Sequence, residues 1–314
     1  MKSYYSNGKL LLTGEYLVLD GALSLALPTQ YGQQLHVEEI ELSKIIWVSL
    51  DAHKNIWFET EFDIENNTLS NNDDDEISNR LLEIFIAVQQ LNSGFLNSSK
   101  GFKITTLLEF PKNWGLGTSS TLINNIANWA KVDPYRLLDL TFGGSGYDIA
   151  CAQNDTGITY QLTHNNVISR IATNDNKRLI NQVLFNPIFK DHLYFVYLNK
   201  KQDSRKGIAQ YKKNTSNLDE AITNVNQITN DIIACNTLDD FNRLIERHEK
   251  LIAKIINKNP IKDELFNDFN GSIKSLGAWG GDFVLATSKS NPTDYFKGKG
   301  FDTILSFNQM VKSK

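Results

Sequence analysis

The chain has 314 residues, 41% of them hydrophobic and 22% charged, with a formal net charge of −4 and a pI near 5.8. That is the balance of a folded protein with room for one large or two medium domains, and it argues against a nucleic-acid or membrane-surface protein. The two cysteines, Cys151 and Cys235, have no CxxC spacing, so neither a zinc site nor a disulfide framework is expected and a reduced compartment fits. The N-terminus, MKSYYSNGK, lacks a signal-peptide apolar stretch, and no long apolar run occurs elsewhere. A cytoplasmic location is the expectation.

In chain order, residues 8 to 27, GKLLLTGEYLVLDGALSLAL, set two apolar runs around Gly14-Glu15, with Asp20-Gly21 as a turn signal. This predicts a β-rich start. HVEEI, IIWVSL and IWFETEF read as further strands. The polar, acidic stretch Asn66 to Glu76 predicts a solvated loop. Glu76 to Leu91 predicts an amphipathic helix, with Ile77, Leu81, Ile84, Phe85, Val88 and Leu91 on one face. FKITTLLEF (Phe102 to Phe110) reads as a strand ended by Pro111. Leu122, Ile123, Ile126, Ala127 and Ala130 then recur at helical steps, with Ser119 or Ser120 as the natural N-cap.

Pro134 opens a short helix that leads into the glycine-rich turn of TFGGSGYDIACAQ. Strands follow at ITYQL and HLYFVYL, and ATNDNKRLINQ between them has loop composition. Two long helices come next, one on Leu218, Ile222, Val225, Ile228 and Ile232, the other on Leu238, Phe241, Ile245, Ile252 and Ile255. His248 sits on or beside the second stripe and reads as a packed residue. SLGAWGGDFVLATS is a glycine-rich turn entering a strand, and FDTILSF is a last strand. Strands early and long helices late predict an α+β protein. A boundary near residues 165 to 190 divides it into residues 1–170 and 171–314.

The segment PKNWGLGTSSTL (Pro111 to Leu122) joins a strand to a helix N-terminus through two glycines. Unpaired N–H groups and the positive helix end suit an anion such as a phosphate, and Gly115 and Gly117 permit close backbone approach. It is not a P-loop, because no lysine follows, and it is not GxGxxG, because position 120 is serine. A plain structural turn into a helix fits the spacing equally well.

Four glycine-marked segments in order, GKLLLTGEY, PKNWGLGTSST, GGSGYDIACA and GAWGGDF, resemble the GHMP kinase family over nearly the whole chain. The centre of the likeness is Pro111-x-x-x-Gly115-Leu116-Gly117-Thr118-Ser119-Ser120, close to the family's PxxxGLGSSA loop. Gly8-Lys9 followed by Gly14-Glu15-Tyr16 is similar to the GK…GEY and GK…GEH of phosphomevalonate and mevalonate kinases. There are departures. Asn7-Gly8 stands where Pro-Gly is usual, Thr118 where serine is usual, and GAWGG replaces GAGxGG. Leu137 occupies the place of the metal-binding glutamate of mevalonate kinases, with Asp139 nearby.

The resemblance implies a two-lobed fold, with an N-terminal nucleotide-binding lobe carrying the phosphate loop and a ferredoxin-like C-terminal lobe completing the substrate site. It implies transfer of the ATP γ-phosphoryl to an anionic acceptor, mevalonate or phosphomevalonate. Asn113, Trp114, Gly115, Leu116, Gly117, Thr118, Ser119 and Ser120 would hold the nucleotide. The Ser119 hydroxyl would help hold Mg²⁺. Asp148 would receive or orient the acceptor's proton, and Lys9 would pair with it and stabilise the transferring group. Glu15, Tyr16, Ser204, Arg205, Gly280 and Gly281 would lie toward the acceptor. The segment Lys200 to Lys213 has six basic residues against one acidic, Asp203. It is either a solvated helix face or a clamp for an anionic acceptor. ATP and Mg²⁺ are the implied cofactors and a small molecule the partner, with no nucleic acid and no membrane. A homodimer is compatible with this reading. Alternatives on the same fold are a diphosphomevalonate decarboxylase, a sugar or homoserine kinase, and an inactive nucleotide-binding homologue.

Overall fold

The computed structural model describes residues 1–65, 68–71, 75–97, 100–163, 177–201, 204–213, 218–279 and 281–312, with backbone alone for residues 68, 71, 177, 204–206 and 210. The elements in chain order are β1 (Lys2–Leu11), β2 (Ser24–Ile40), β3 (Lys44–Leu50), β4 (Ile56–Glu65), β5 (Thr68–Asn71), α1 (Glu76–Leu91), β6 (Gly101–Leu108), α2 (Thr118–Ala130), α3 (Pro134–Thr141), α4 (Tyr147–Ala152) and β7 (Gly157–Thr163). They continue with β8 (Lys177–Val183), β9 (Leu193–Tyr197), α5 (Ser204–Tyr211), α6 (Leu218–Ala234), α7 (Leu238–Ile256), α8 (Ile261–Leu265), β10 (Ile273–Ser275), β11 (Phe283–Thr287), α9 (Thr293–Gly298), β12 (Ile304–Ser306) and α10 (Phe307–Met310). No described helix is long and apolar enough to cross a membrane.

The chain forms two compact units, each built from separated segments. The first comprises Met1–Gly8, Tyr31–Lys112 and Leu116–Gln153; the second comprises Lys9–Gln30, Asn113–Gly115 and Asn154–Lys314. The boundary expected between residues 170 and 171 lies outside the described residues.

In the first unit the strands run in the order β5-β4-β3-β6-β2. β3 and β6 are parallel while β4, β5 and β2 pair antiparallel with their neighbours, which makes the sheet mixed. Helices α1 and α2 supply the apolar side chains that meet this sheet. Trp47, Phe62, Phe85, Ile104, Ile123, Ile126 and Trp129 share one buried core. The predicted helix from Glu76 to Leu91 is present, and the Asp75 carboxylate caps it by accepting from the N–H groups of Ile77 and Ser78.

In the second unit the first residues of β2 pair with β7, and β7 with β8. A separate antiparallel sheet has the order β10-β11-β9-β12. Val196, Phe266, Phe269, Ile273, Val284, Ala286 and Phe296 form one core there.

Four expectations are corrected. Part of the acidic stretch is strand β5, because antiparallel pairing with β4 meets its backbone hydrogen bonds despite its polar side chains. Residues read as loop form the end strand β8 for the same reason. Leu17 to Asp20 is a turn of 3-10 helix closed by Gly21 at φ 89°, not a strand. Helix α2 begins at Thr118 with Gly117 as its N-cap, and neither Ser119 nor Ser120 caps it; the Ser120 hydroxyl instead donates back to the Gly117 carbonyl at 2.9 Å.

Candidate active site

In the first unit, the start of α2 is held by a neutral polar network. Ser6 on β1 donates to Asn125 Oδ1 at 2.7 Å and accepts from Asn124 Nδ2 at 2.8 Å. Asn125 Nδ2 donates to the Gln33 carbonyl at 2.9 Å, Thr121 Oγ1 to Gln33 Oε1 at 2.7 Å, and Gln153 Nε2 to Asn124 Oδ1 at 2.9 Å. Ser6, Gln33, Thr121, Asn124 and Asn125 are all buried. Buried polar groups that find all their partners fix a unique arrangement. This network therefore sets where Gly117, Thr118, Ser119 and Ser120 stand. Gly117 takes φ 96° and Leu116 is buried, while the Ser119 side chain is exposed.

Asp148 lies in the first turn of α4, half-buried, with its Oδ1 accepting from the Ile149 N–H at 3.1 Å. The turn before it uses Gly143, Gly144 and Gly146, all at positive φ. Leu137 is fully buried in the first unit's core, so the place of the family's glutamate is filled by a packing residue; Asp139 is exposed.

In the second unit, Lys9 Nζ donates to the Gly115 carbonyl at 3.1 Å. Gly115 has φ 69°, and a Cβ there would fall 2.4 Å from Asp282 Cγ and 2.6 Å from each carboxylate oxygen. Only glycine fits beside Asp282. Trp114 packs edge-on against Phe283, with ring centroids 5.4 Å apart, and lies 6.4 Å from Tyr197. Asn113 is exposed. Lys9, Trp114, Gly115, Leu276, Gly277 and Asp282 line a shallow pocket.

Further along the second unit is a buried charged cluster. Lys274 Nζ contacts Glu15 Oε1 and donates to the Ser275 carbonyl at 2.8 Å. Glu249 accepts from the Ser275 N–H at 3.0 Å and from its hydroxyl at 2.8 Å. His248 Nε2 accepts from the Gly14 N–H at 3.0 Å and stands 3.4 Å from Glu15 Oε2. No side chain here is more than 2% exposed. Two carboxylates thus face one ammonium.

Burial pushes the Glu15 carboxyl up to about 7, against the pull of Lys274. Burial, then the charge of Lys274, holds the His248 imidazole well below its usual range. Glu15 Oε2 has no hydrogen-bond partner although it is buried. The one acceptor lone pair of His248 Nε2 is taken by the Gly14 N–H, so Glu15 Oε2 faces that nitrogen without a hydrogen bond.

Tyr16 follows at φ 64°, a strained value for a residue with a side chain. Its ring is buried and stacks on Tyr211 at 5.6 Å, and its hydroxyl donates to the Ala278 carbonyl at 2.9 Å. A Cβ on Gly207 of α5 would lie 2.4 Å from that hydroxyl, so glycine lets the helix approach. Glu15 and Tyr16 are therefore buried anchors of the turn that carries them.

Among the other expected residues, Gly281 is buried, Ser204 and Arg205 lie on α5, and Gly280 lies outside the described residues. Lys9, Asn113, Trp114 and Gly115 belong to the second unit, and Leu116, Gly117, Thr118, Ser119, Ser120 and Asp148 to the first. Sequence reading missed Lys274, Glu249 and Asp282. Lys274 offered one signal, a charged residue inside the otherwise apolar and small run SIKSLGA.

No protein family and no curated protein sequence matches the chain. Solved structures do. The mevalonate kinase of Methanococcus jannaschii aligns over 100% of this chain and 98% of its own, with a TM-score of 0.71 and 16% identity. Streptococcus pneumoniae phosphomevalonate kinase, in complex with phosphomevalonate and AMPPNP, aligns over 98% and 100%, with a TM-score of 0.70 and 16% identity. Lactococcus lactis galactokinase complexed with galactose aligns over 99% and 94%, with a TM-score of 0.64 and 14% identity. These are GHMP-family kinases. At such identities the likeness shows the fold: this chain has the mixed α/β fold of that family.

Proposed function

We propose that the protein is an ATP-dependent small-molecule kinase of the GHMP type, with mevalonate or phosphomevalonate as its acceptor. The observation that carries this reading is the glycine loop between β6 and α2, in a fold shared end to end with a kinase solved with an ATP analogue. Phosphoryl transfer asks for positioning and charge neutralisation more than for covalent help. Backbone N–H groups from Gly115 to Ser120 supply the first at a helix N-terminus. Lys9, tied to the Gly115 carbonyl, supplies positive charge beside the loop. The Asp148 carboxylate takes or orients the acceptor's proton.

Mg²⁺ fits the donor chemistry. Ser119 offers an exposed hydroxyl and Asp148 a half-buried carboxylate, and Mg²⁺ binds such hard oxygens together with substrate phosphates rather than an all-protein cage. No cluster of three or more His, Cys, Asp or Glu suited to a metal occurs among the described residues. When bound, the cation neutralises charge on the nucleotide. The basic segment from Lys200 to Lys213 supports an anionic acceptor over a neutral sugar.

The test is ADP release from Mg-ATP against mevalonate, phosphomevalonate, diphosphomevalonate, galactose and homoserine. Turnover with mevalonate or phosphomevalonate is expected. Turnover with galactose or homoserine alone overturns the acceptor, release of phosphate and CO₂ from diphosphomevalonate marks a decarboxylase, and silence with every acceptor overturns the kinase.

A further inference from the structure

Helix α5 has eight residues. That is too short to hold its shape alone in water, so its place depends on docking. Among its described side chains Tyr211 is the fully buried one, at 1% exposed, and Ile208 packs beside it in the core shared with Tyr16, Leu17 and Trp279. The Tyr211 ring stacks on Tyr16, and its hydroxyl donates to Asp20 Oδ2 at 2.6 Å, 191 positions back along the chain. Burial, then that bond, holds the phenol above its usual range, so it remains a donor. Gly207, one turn earlier, lets α5 close on the Tyr16 hydroxyl, which itself donates to the Ala278 carbonyl. The basic helix, the Gly14–Tyr16 turn and the glycine turn after Leu276 thus meet inside the second unit. Tyr16 at φ 64° and Trp279 at φ 53° are both strained there, and such positions persist where the surroundings over-determine them, as at ligand clamps.

Asp20 does not serve the helix itself. Its carboxylate meets the last residue of α5, and a negative charge at a helix C-terminus opposes the helix dipole. What it contributes is a charge-assisted bond to the phenol, stronger than a neutral one. The same helix carries Arg205 and Lys206 in sequence, and the exposed Lys212 and Lys213 follow its end. Cations hold an anion best when they are already in place, because ordering them on binding costs affinity.

We propose that the Tyr211–Asp20 bond is a latch that fixes the basic helix α5 against the Tyr16 turn, which makes Tyr211 and Asp20 positioning residues for the anionic acceptor. The proposal rests on the kinase reading above.

The experiment is steady-state kinetics with Mg-ATP and mevalonate or phosphomevalonate, for the wild type, Tyr211→Phe, Asp20→Ala, Asp20→Asn and the double variant Tyr211→Phe/Asp20→Ala. Phenylalanine keeps the stacked ring and removes only the hydroxyl. Tyr211→Phe is expected to raise the acceptor KM about tenfold, as loss of a hydrogen bond to a charged group does. Its kcat and its KM for ATP are expected to stay within about twofold of wild type, the pattern of lost acceptor binding. Asp20→Ala is expected to match it, and the double variant to be no worse than either, because all three remove one bond. Asp20→Asn keeps an oxygen for the phenol and is expected to stay near the wild-type KM. An unchanged acceptor KM in Tyr211→Phe overturns the proposal. So does an equal rise in the KM for ATP, which marks a merely structural bond. Both leave the kinase reading standing. A wild type that turns over neither acceptor overturns the proposed function, and this proposal with it.

Discussion

The two units solve the same problem, a buried polar site, with different chemistry. Around the start of α2 the groups are neutral: Ser6, Gln33, Thr121, Asn124, Asn125 and Gln153 exchange hydrogen bonds with no formal charge. Around Gly14-Glu15-Tyr16 the groups are ionisable, with Glu15, Glu249, Lys274 and His248 packed together out of water. A neutral network is indifferent to pH. A charged one is balanced only when each proton is in place, because desolvation of an unpaired charge outweighs any single hydrogen bond. One unit should therefore hold its loop under all ordinary conditions, while the other should respond to acid and base.

The sharpest way to break this contrast is Lys274→Met. It removes the cluster's ammonium and leaves two buried carboxylates, with an expected loss of roughly 3–5 kcal/mol. Urea unfolding should show the loss to be larger near pH 8, at about full ionisation, than in acid. A loss that does not vary with pH contradicts the charge assignment.

Next is Glu15→Gln. In the folded protein the carboxyl titrates at about 7, against 4.5 for the free group. Between those values the native state keeps a proton that the unfolded chain has lost, so this group's contribution falls as pH rises through the window. Glutamine lacks that penalty. The variant should match the wild type below the window and gain on the order of 3 kcal/mol above it. His248 works in the opposite sense. Its depressed native value means that the unfolded chain takes up a proton first as pH falls, which lowers stability in acid. With Glu15 removed, that acid-side loss should stand out in denaturation curves collected across pH.

The smallest expected effect falls in the neutral network. Ser6→Ala strips a donor from Asn125 and an acceptor from Asn124, costing roughly 1–3 kcal/mol. The cost should be the same at acid and neutral pH. A pH-dependent cost would erase the distinction between the two regions.

The same contrast explains what the sequence could and could not disclose. Helices α1, α2, α6 and α7 were legible because their apolar residues recur at helical steps against a core. The glycine loop and the turn at Gly143 to Gly146 were legible because glycine at positive φ leaves a local mark. Strands β5 and β8 were not, since TLSN and KRLINQV are held by backbone pairing and carry little alternation. Asn124 and Asn125 hid inside a helical pattern. His248 was read as packed, and it is buried, but its partner Glu15 lies far away in the chain. Lys274 and Glu15 are 259 residues apart, and no spacing rule connects such a pair. Asp282 stood in full view beside two glycines, yet its meaning depends on Gly115, which only the fold brings against it.

The most direct test of the central claim is ³¹P NMR of Mg-ATP with mevalonate or phosphomevalonate, run with wild type and with Asp148→Asn. The account predicts ADP together with a new acceptor phosphate signal for wild type. It predicts neither for Asp148→Asn, which should still bind ATP. A folded Asp148→Asn that turns over at the wild-type rate, or a wild type that binds ATP and phosphorylates neither acceptor, would contradict it.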